Sequence, residues 1–176
     1  MYQPNYIIVH HSVTPRDLGV DQTENSIQNN HKSRGFPKSS LGSNIGYHYI
    51  IYGDGTVKQY RLDNEIGAHT KEQGMNLKSL GVCLIGDFDK ELPSESQINS
   101  LKTLLSKKCE LFKIIKENIH PHRKYAGYKS CYGANLSDDW ASKLLTSNND
   151  MLMSFKKAGD NTIYLLLGSN TLNAIS

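Results

Sequence analysis

The sequence lacks the features that mark several classes of protein. No apolar run among its 176 residues approaches the ~20 needed to cross a bilayer, so we expect no membrane insertion. The first residues contain neither the basic nor the apolar region of a secretory signal, which predicts synthesis in the cytoplasm without a signal peptide. The net charge is only +3, and Lys and Arg form no stripe with interleaved aromatic residues, so no nucleic-acid partner is predicted.

Cysteine is also scarce, and three cysteines cannot all pair within one chain. Cys83 lies in an apolar, strand-like run and Cys109 in a helical pattern, so we predict that both are buried, reduced thiols. Cys131 lies in a segment rich in turn-forming residues and is predicted to be exposed. In a reducing cytoplasm such a thiol is more often bound to a metal or reactive than bridged.

The patterning that is present predicts an α/β fold, with a single mixed central β-sheet flanked by helices. Predicted strands, rich in β-branched, aromatic or continuous apolar residues, cover 5–11, 46–52, 56–60, 80–86 and a short stretch around Ile119. Predicted helices begin at Asp21 or Thr23, at Ser94 and at Ser137. In the longest helix Ser94 and Gln97 fit a capping box, and one apolar face is formed by Ile98, Leu101, Leu105, Phe112 and Ile115.

The chain divides by composition into three parts. Residues 1–146 are predicted to form one domain, 147–160 a polar linker, and 161–176 a small C-terminal β-hairpin. A lone two-stranded hairpin is marginally stable in water. We therefore expect it to pack on the main domain, to self-associate or bind a partner protein, or to belong to a longer module.

Three residues with metal-binding side chains stand in different local contexts. His10 ends an apolar run, whereas His122 and Cys131 lie nine residues apart in a loop segment. Two imidazoles and one thiolate can hold zinc with a fourth position open, which is the pattern of catalytic rather than structural zinc sites. His120 competes with His122, because residues two apart in a strand share a face. If the three side chains do not converge, the histidines are scattered and structural.

Several segments together resemble the zinc-dependent N-acetylmuramoyl-L-alanine amidases of the type-2 family, which includes bacteriophage lysozyme-type amidases and peptidoglycan-recognition proteins. The matching segments are residues 8–14, 31–36, 45–51, 54–57, 67–69, 79–86, 122–123 and 129–131. Each is weak alone, and their shared order and spacing carries the resemblance. It implies Zn²⁺ as the cofactor and bacterial peptidoglycan as the partner and substrate.

The resemblance also implies roles for individual residues. His10, His122 and Cys131 correspond to the zinc ligands, with His122 favoured over His120 because Arg123 follows it, as in the family. Tyr47 and Lys129 correspond to residues that assist catalysis in phage-type members. Some relatives carry a glutamate in the strand equivalent to 80–86, whereas this strand has no carboxylate, so we expect Tyr47 to contribute to that task. The interval from His122 to Cys131 is one residue longer than in the phage members.

His69 follows a Gly-Ala pair in a predicted loop. It either lines the substrate groove and hydrogen-bonds a carbonyl of the substrate, or is a solvated loop histidine.

The predicted reaction is hydrolysis of the amide between N-acetylmuramic acid and L-alanine by a phage-type endolysin. Such a protein reaches the cell wall after holin-type or virion-mediated release. Two alternatives are a non-catalytic peptidoglycan receptor, which typically lacks the cysteine ligand, and a cytoplasmic muropeptide-recycling amidase, which often has aspartate there.

Overall fold

The strands of the main unit form one sheet. A computed structural model describes residues 2–145 and two short strands at 164–165 and 173–174, and it divides the chain into compact units 1–145 and 146–176. In the first unit the strands are β1 (Tyr6–His11), β2 (Tyr49–Ile51), β3 (Val57–Gln59), β4 (Ser79–Leu84) and β5 (Ile119–Pro121). The helices are α1 (Val20–Ser33), α2 (Glu95–Phe112) and α3 (Trp140–Lys143), with 3₁₀ turns at Glu72–Leu77, Lys116–Asn118 and His122–Lys124.

The sheet order is β3-β2-β4-β1-β5. β1 lies parallel to both β4 and β5, β2 is parallel to β4, and the edge strand β3 pairs antiparallel with β2. The mixed sheet with flanking helices predicted from the sequence is confirmed. Because the parallel strands end at one edge of the sheet, residues that follow β1, β4 and β5 meet there, as ligand-binding residues do in open α/β sheets.

Side chains alternate between two cores, one on each face of the sheet. On one face Leu80, Val82 and Leu84 of β4 pack with α2 and α3, whereas Cys83 points to the other face, which α1 covers. Both faces of β4 are therefore buried, which explains its nearly continuous apolar sequence. Cys83 is a buried free thiol, as predicted, whereas Cys109 is a free thiol that is only half-buried.

The capping box predicted at the start of α2 is present. The Ser94 side chain accepts a hydrogen bond from the Gln97 N–H, and the Gln97 side chain accepts one from the Ser94 N–H. The predicted end of this helix was wrong. Lys113 adopts a left-handed conformation that stops the helix after Phe112, so the chain leaves the helical phase and Ile115 is 59% exposed while Ile114 is buried.

Other boundaries also differ from the prediction. α1 is preceded by Gly19 with no side-chain cap, so neither Asp21 nor Thr23 caps it. α3 follows Asp139 rather than Ser137, whose hydroxyl donates to the Asp139 carboxylate. β2 is shorter than predicted: its ladder with β4 begins at Tyr49, and the Gly81 N–H of β4 donates to the His48 side chain instead of to a backbone carbonyl oxygen.

In the second unit Tyr164–Leu165 and Asn173–Ala174 pair antiparallel, within the two segments predicted to form a hairpin. The predicted linker 147–160 lies outside the described residues. Among the described residues no helix is long and apolar enough to span a membrane.

Candidate metal centre and active site

The three predicted ligands converge at the carboxyl edge of the sheet. His10 is the penultimate residue of β1, His122 begins the 3₁₀ turn that follows β5, and Cys131 ends the loop after that turn. One ligand atom from each lies within 4.8 Å of the other two, and all three residues are buried. Cys131 is only 8% exposed, so its predicted exposure was wrong: the loop folds back so that its thiol packs against β1.

His120 lies away from this cluster. β5 ends at Pro121 and the chain turns at His122, so the strand alternation that would place His120 and His122 on one face no longer holds. His120 instead contacts the Lys124 ammonium at 3.0 Å and packs against the Tyr6 ring.

Arg123 holds the loop that carries Cys131. Its backbone N–H donates to the Cys131 carbonyl oxygen at 2.7 Å, and its guanidinium donates to the carbonyl oxygens of Ser130, Gly133 and Leu136. One planar, permanently charged side chain thus closes the turn around the ligand. The His-Arg pair therefore has a physical basis: the histidine enters the cluster and the arginine positions the loop with the cysteine.

Hydrogen bonds around His10 indicate which of its ring nitrogens is unprotonated. His69 Nε2 lies 3.4 Å from the Ser79 carbonyl oxygen, which only accepts, so this nitrogen carries the proton and His69 Nδ1 is the acceptor. His10 Nε2, at 3.1 Å from His69 Nδ1, then donates. The remaining His10 nitrogen, Nδ1, is therefore unprotonated, and its lone pair lies toward Cys131 Sγ at 3.7 Å. A metal-binding histidine typically donates its other ring N–H to an acceptor that fixes its tautomer, and His69 Nδ1 is that acceptor for His10.

Burial sets the protonation of the three candidate ligands. It lowers the pKa of His10 strongly, with further lowering by neighbouring imidazoles and Lys129, and it lowers the pKa of His122. Both imidazoles are therefore neutral, as metal ligation requires. Burial raises the pKa of the Cys131 thiol to about 12, against the lowering effect of the His11 N–H donated to its sulfur.

The residues present fit a zinc ion. The donor set is two neutral imidazoles and one thiol, with one ligand atom of each within 4.8 Å of the other two. A metal cation at this point would favour the deprotonated thiol in such a buried place. His10, His122 and Cys131 would hold the ion.

Tyr47 lies against the cluster on the side of β2. Its ring centroid is 5.1 Å from that of His10 and 5.4 Å from that of His31. Burial, followed by the neighbouring Cys83 and Cys131, raises the pKa of the phenol well above its ordinary value. Tyr47 is therefore a hydrogen-bond donor at neutral pH.

His31 supports Tyr47 from α1. It is buried, its Nδ1 accepts the Gly46 N–H at 3.0 Å, and its ring stacks on Phe36. Burial lowers the pKa of His31 to about 4, so the imidazole is neutral and positions the segment before β2.

A cleft of about 220 Å³ opens beside the candidate ligands. Its walls come from the loops after α1, after β3 and after β5: Arg34, Phe36, Ala68, His69, Thr70, Lys71, Glu72, Asn76, His122, Tyr128 and Lys129. The predicted site residues His69 and Lys129 both line it, His69 being half-buried rather than solvated. His69 thus contacts His10 on one side and the cleft on the other.

Glu72 and Asn76 were not identified from the sequence. The Asn76 side chain accepts the backbone N–H groups of His69 and Thr70, which fixes the loop that carries His69. Glu72 brings a carboxylate to the cleft from the loop before β4. Neither belongs to a motif; the only signal in this segment was the Gly-Ala-His sequence at 67–69.

Known proteins similar to this chain include amidases and peptidoglycan-recognition proteins. A family model described as N-acetylmuramoyl-L-alanine amidase matches residues 1–134. The chain is 34% identical over 125 residues to peptidoglycan-recognition protein LB of Drosophila melanogaster, covering 70% of this chain and 50% of that protein. It is 36% identical over 104 residues to the endolysin of Escherichia phage T7, covering 56% and 62%. The chain spans about half the length of that recognition protein and of peptidoglycan-recognition protein 2 of Holotrichia diomphalia.

Solved structures give the same result. The amidase LysC from Clostridium intestinale URNW superposes with a TM-score of 0.63 at 29% identity, covering 76% of this chain and 79% of that one. Wild-type Drosophila PGRP-LB superposes with a TM-score of 0.64 at 29% identity, covering 77% and 78%. The family model, covering far more than half of the chain, agrees with this fold, and the chain belongs to the N-acetylmuramoyl-L-alanine amidase family.

Proposed function

We propose that this chain hydrolyses the amide between N-acetylmuramic acid and L-alanine in bacterial peptidoglycan, with zinc as its cofactor, and that it acts as a phage-type endolysin. The convergence of His10, His122 and Cys131 beside an open cleft is the observation that carries this proposal. A receptor needs the cleft alone, whereas a buried set of three metal-binding side chains, of which His122 lines the cleft, serves a hydrolase.

The chain's own residues divide the chemistry between them. When bound, zinc would polarise the amide carbonyl and lower the pKa of a water molecule. Lys129 lines the cleft, and its ammonium stabilises negative charge that develops on the carbonyl oxygen. Tyr47 stays protonated and donates a hydrogen bond that orients the attacking water.

His69 fixes the His10 ring and presents its edge to the cleft. His69 would therefore both line the substrate groove and orient the ring of His10. A carboxylate is absent from β4, where some relatives carry a glutamate. Tyr47 contributes to that task here, and Tyr47→Phe with full activity would contradict the assignment.

The comparisons support a setting at the bacterial cell wall. Relatives include phage endolysins and peptidoglycan-recognition proteins. The cysteine ligand favours a phage-type amidase over a muropeptide-recycling enzyme with aspartate at this position. We propose that the protein reaches the wall by holin-type or virion-mediated release, and that the C-terminal strands provide a contact with a partner or a second copy.

One assay separates these functions. Zinc-loaded protein is incubated with purified peptidoglycan, and free L-alanine amino termini and reducing sugar ends are measured. New amino termini that are lost with a chelator and with Cys131→Ala, but kept with the control Cys109→Ala on α2, are expected. Binding to peptidoglycan without new amino termini would instead establish the receptor, and new reducing ends alone would show cleavage of the glycan.

A further inference from the structure

Glu72 joins the two loops that face each other across the cleft. Its Oε1 accepts a hydrogen bond from the Tyr128 hydroxyl at 2.7 Å, and its Oε2 lies 3.5 Å from Nε2 of His122. Tyr128 is on the loop that carries Cys131, whereas Glu72 is on the loop before β4. The carboxylate therefore contacts one candidate ligand directly and reaches the loop of another through the phenol.

The backbone fixes the place of this carboxylate. Directly after Glu72 the chain passes through Gln73 at φ +53° and Gly74 at φ +68°. A non-glycine residue in the left-handed region is uncommon and is retained when the surroundings determine it. The turn reverses the chain, and the Asn76 side chain then closes the loop by accepting the N–H groups of His69 and Thr70.

The carboxylate faces a buried nitrogen. Glu72 Oε2 lies 3.5 Å from His122 Nε2, which makes no hydrogen bond of good distance and geometry among the described residues.

A carboxylate beside the outer nitrogen of a ligand histidine orients the ring and increases its basicity. We propose that Glu72 is a positioning residue that orients His122 and strengthens cation binding by the His10, His122 and Cys131 set, and that Tyr128 holds the Glu72 carboxylate in place. This role rests on the proposed function of that site.

Zinc affinity of the purified full chain tests the proposal without reference to activity. Affinity is measured by competition with a chelating dye for the wild type, Glu72→Gln, Glu72→Ala and Tyr128→Phe. Loss of a carboxylate that supports a ligand typically weakens metal binding by about 10- to 100-fold. We expect that range for Glu72→Ala, a smaller loss for Glu72→Gln because it keeps the shape, and the smallest loss for Tyr128→Phe.

Matched controls separate positioning from folding. Glu91→Gln removes a carboxylate that pairs with Arg16, and Tyr125→Phe removes a phenol on the ligand loop whose ring packs on His120; both should bind zinc like the wild type. Melting of the zinc-free proteins shows whether a variant unfolds, and the gain in melting temperature on adding zinc should shrink for the Glu72 variants. Wild-type zinc affinity in both Glu72 variants would overturn the proposal. A loss of affinity in a protein that releases no L-alanine termini would support it while rejecting the amidase function.

Discussion

Gly81 provides a sharp test of how His69 is held. It lies in the middle of β4, and a Cβ added there would come within 2.4 Å of Cδ2 and 2.5 Å of Cγ of His69. Ordinary carbon contacts are about 3.5–4.0 Å, so the overlap is about 1 Å. The ring cannot turn aside without breaking its contacts with His10, Thr70 and the Ser79 carbonyl oxygen.

The expected cost of Gly81→Ala follows from this overlap. Overpacking of a fixed core group costs about 1–3 kcal/mol, and at about 2 kcal/mol the melting temperature of a domain of this size falls by roughly 4–8 °C. Gly81 does not adopt a left-handed conformation, so the backbone itself accepts alanine, with a gain of about 0.4–1 kcal/mol from the unfolded chain. In a His69→Ala background the clash is absent, and Gly81→Ala should be neutral or stabilising.

A double-mutant cycle measured by urea denaturation of the zinc-free protein checks this reasoning. The matched control is Gly127→Ala, because a Cβ there meets no atom within 4 Å. Gly81→Ala should also lower amidase activity, since His69 no longer fixes the His10 ring. Equal destabilisation by Gly81→Ala with and without His69, or none in the wild type, would refute the reasoning.

Three further predictions follow from other parts of the structure. Lys129→Met should lower the rate of amide hydrolysis by about 10²- to 10³-fold, as for loss of an oxyanion-stabilising group. Zinc affinity measured by chelator competition should stay equal or rise, because the substitution removes a positive charge beside the ligands. A parallel loss of zinc affinity would contradict it. Ser94→Ala should destabilise the fold by about 1 kcal/mol in urea denaturation, because it removes the side-chain cap of α2. Ser106→Ala, at an exposed position of the same helix, is the control. Equal destabilisation by the two substitutions would contradict a stabilising role of the cap. Burial lowers the folded-state pKa of His31 and His48 to about 4, below their ordinary 6.5. Stability from these groups is therefore complete above pH 6.5 and is lost as the pH falls towards 4, because the unfolded chain takes up protons that the folded chain excludes. Chelator-treated protein should show this fall in its unfolding free energy, and a flat profile would contradict it.

Elements with a strong local signal were predicted well. The apolar run of β1, the all-apolar β4 and the capping box of α2 each contain their own evidence, because period, length and cap chemistry are local properties. Boundaries were less accurate where a tertiary contact decided them. α2 stops at the left-handed Lys113, and β2 is shortened by bonds that His48 makes to β4.

In the candidate site, too, some residues were predicted from the sequence and others were not. The sequence indicated His10, Tyr47, His122, Lys129 and Cys131 through their order and their resemblance to one family. It left His69 open between a groove residue and a solvated one. It gave no sign of Glu72, because a carboxylate in a loop of ordinary composition is typically exposed, and only its distance to His122 distinguishes it.

The sequence by itself determined the strands, the main helices and the residue types at the end of β1 and in the loop after β5. The tertiary structure decided which side chains meet: it excluded His120, buried Cys131 and brought Glu72 to His122. The physical reason is distance along the chain. The contact between His10 and His69 joins residues 59 positions apart, and that between Cys131 and His10 joins residues 121 apart. Periodicity and capping act over a few residues, whereas a site of this kind exists only after the parallel strands have brought their carboxyl ends to one edge.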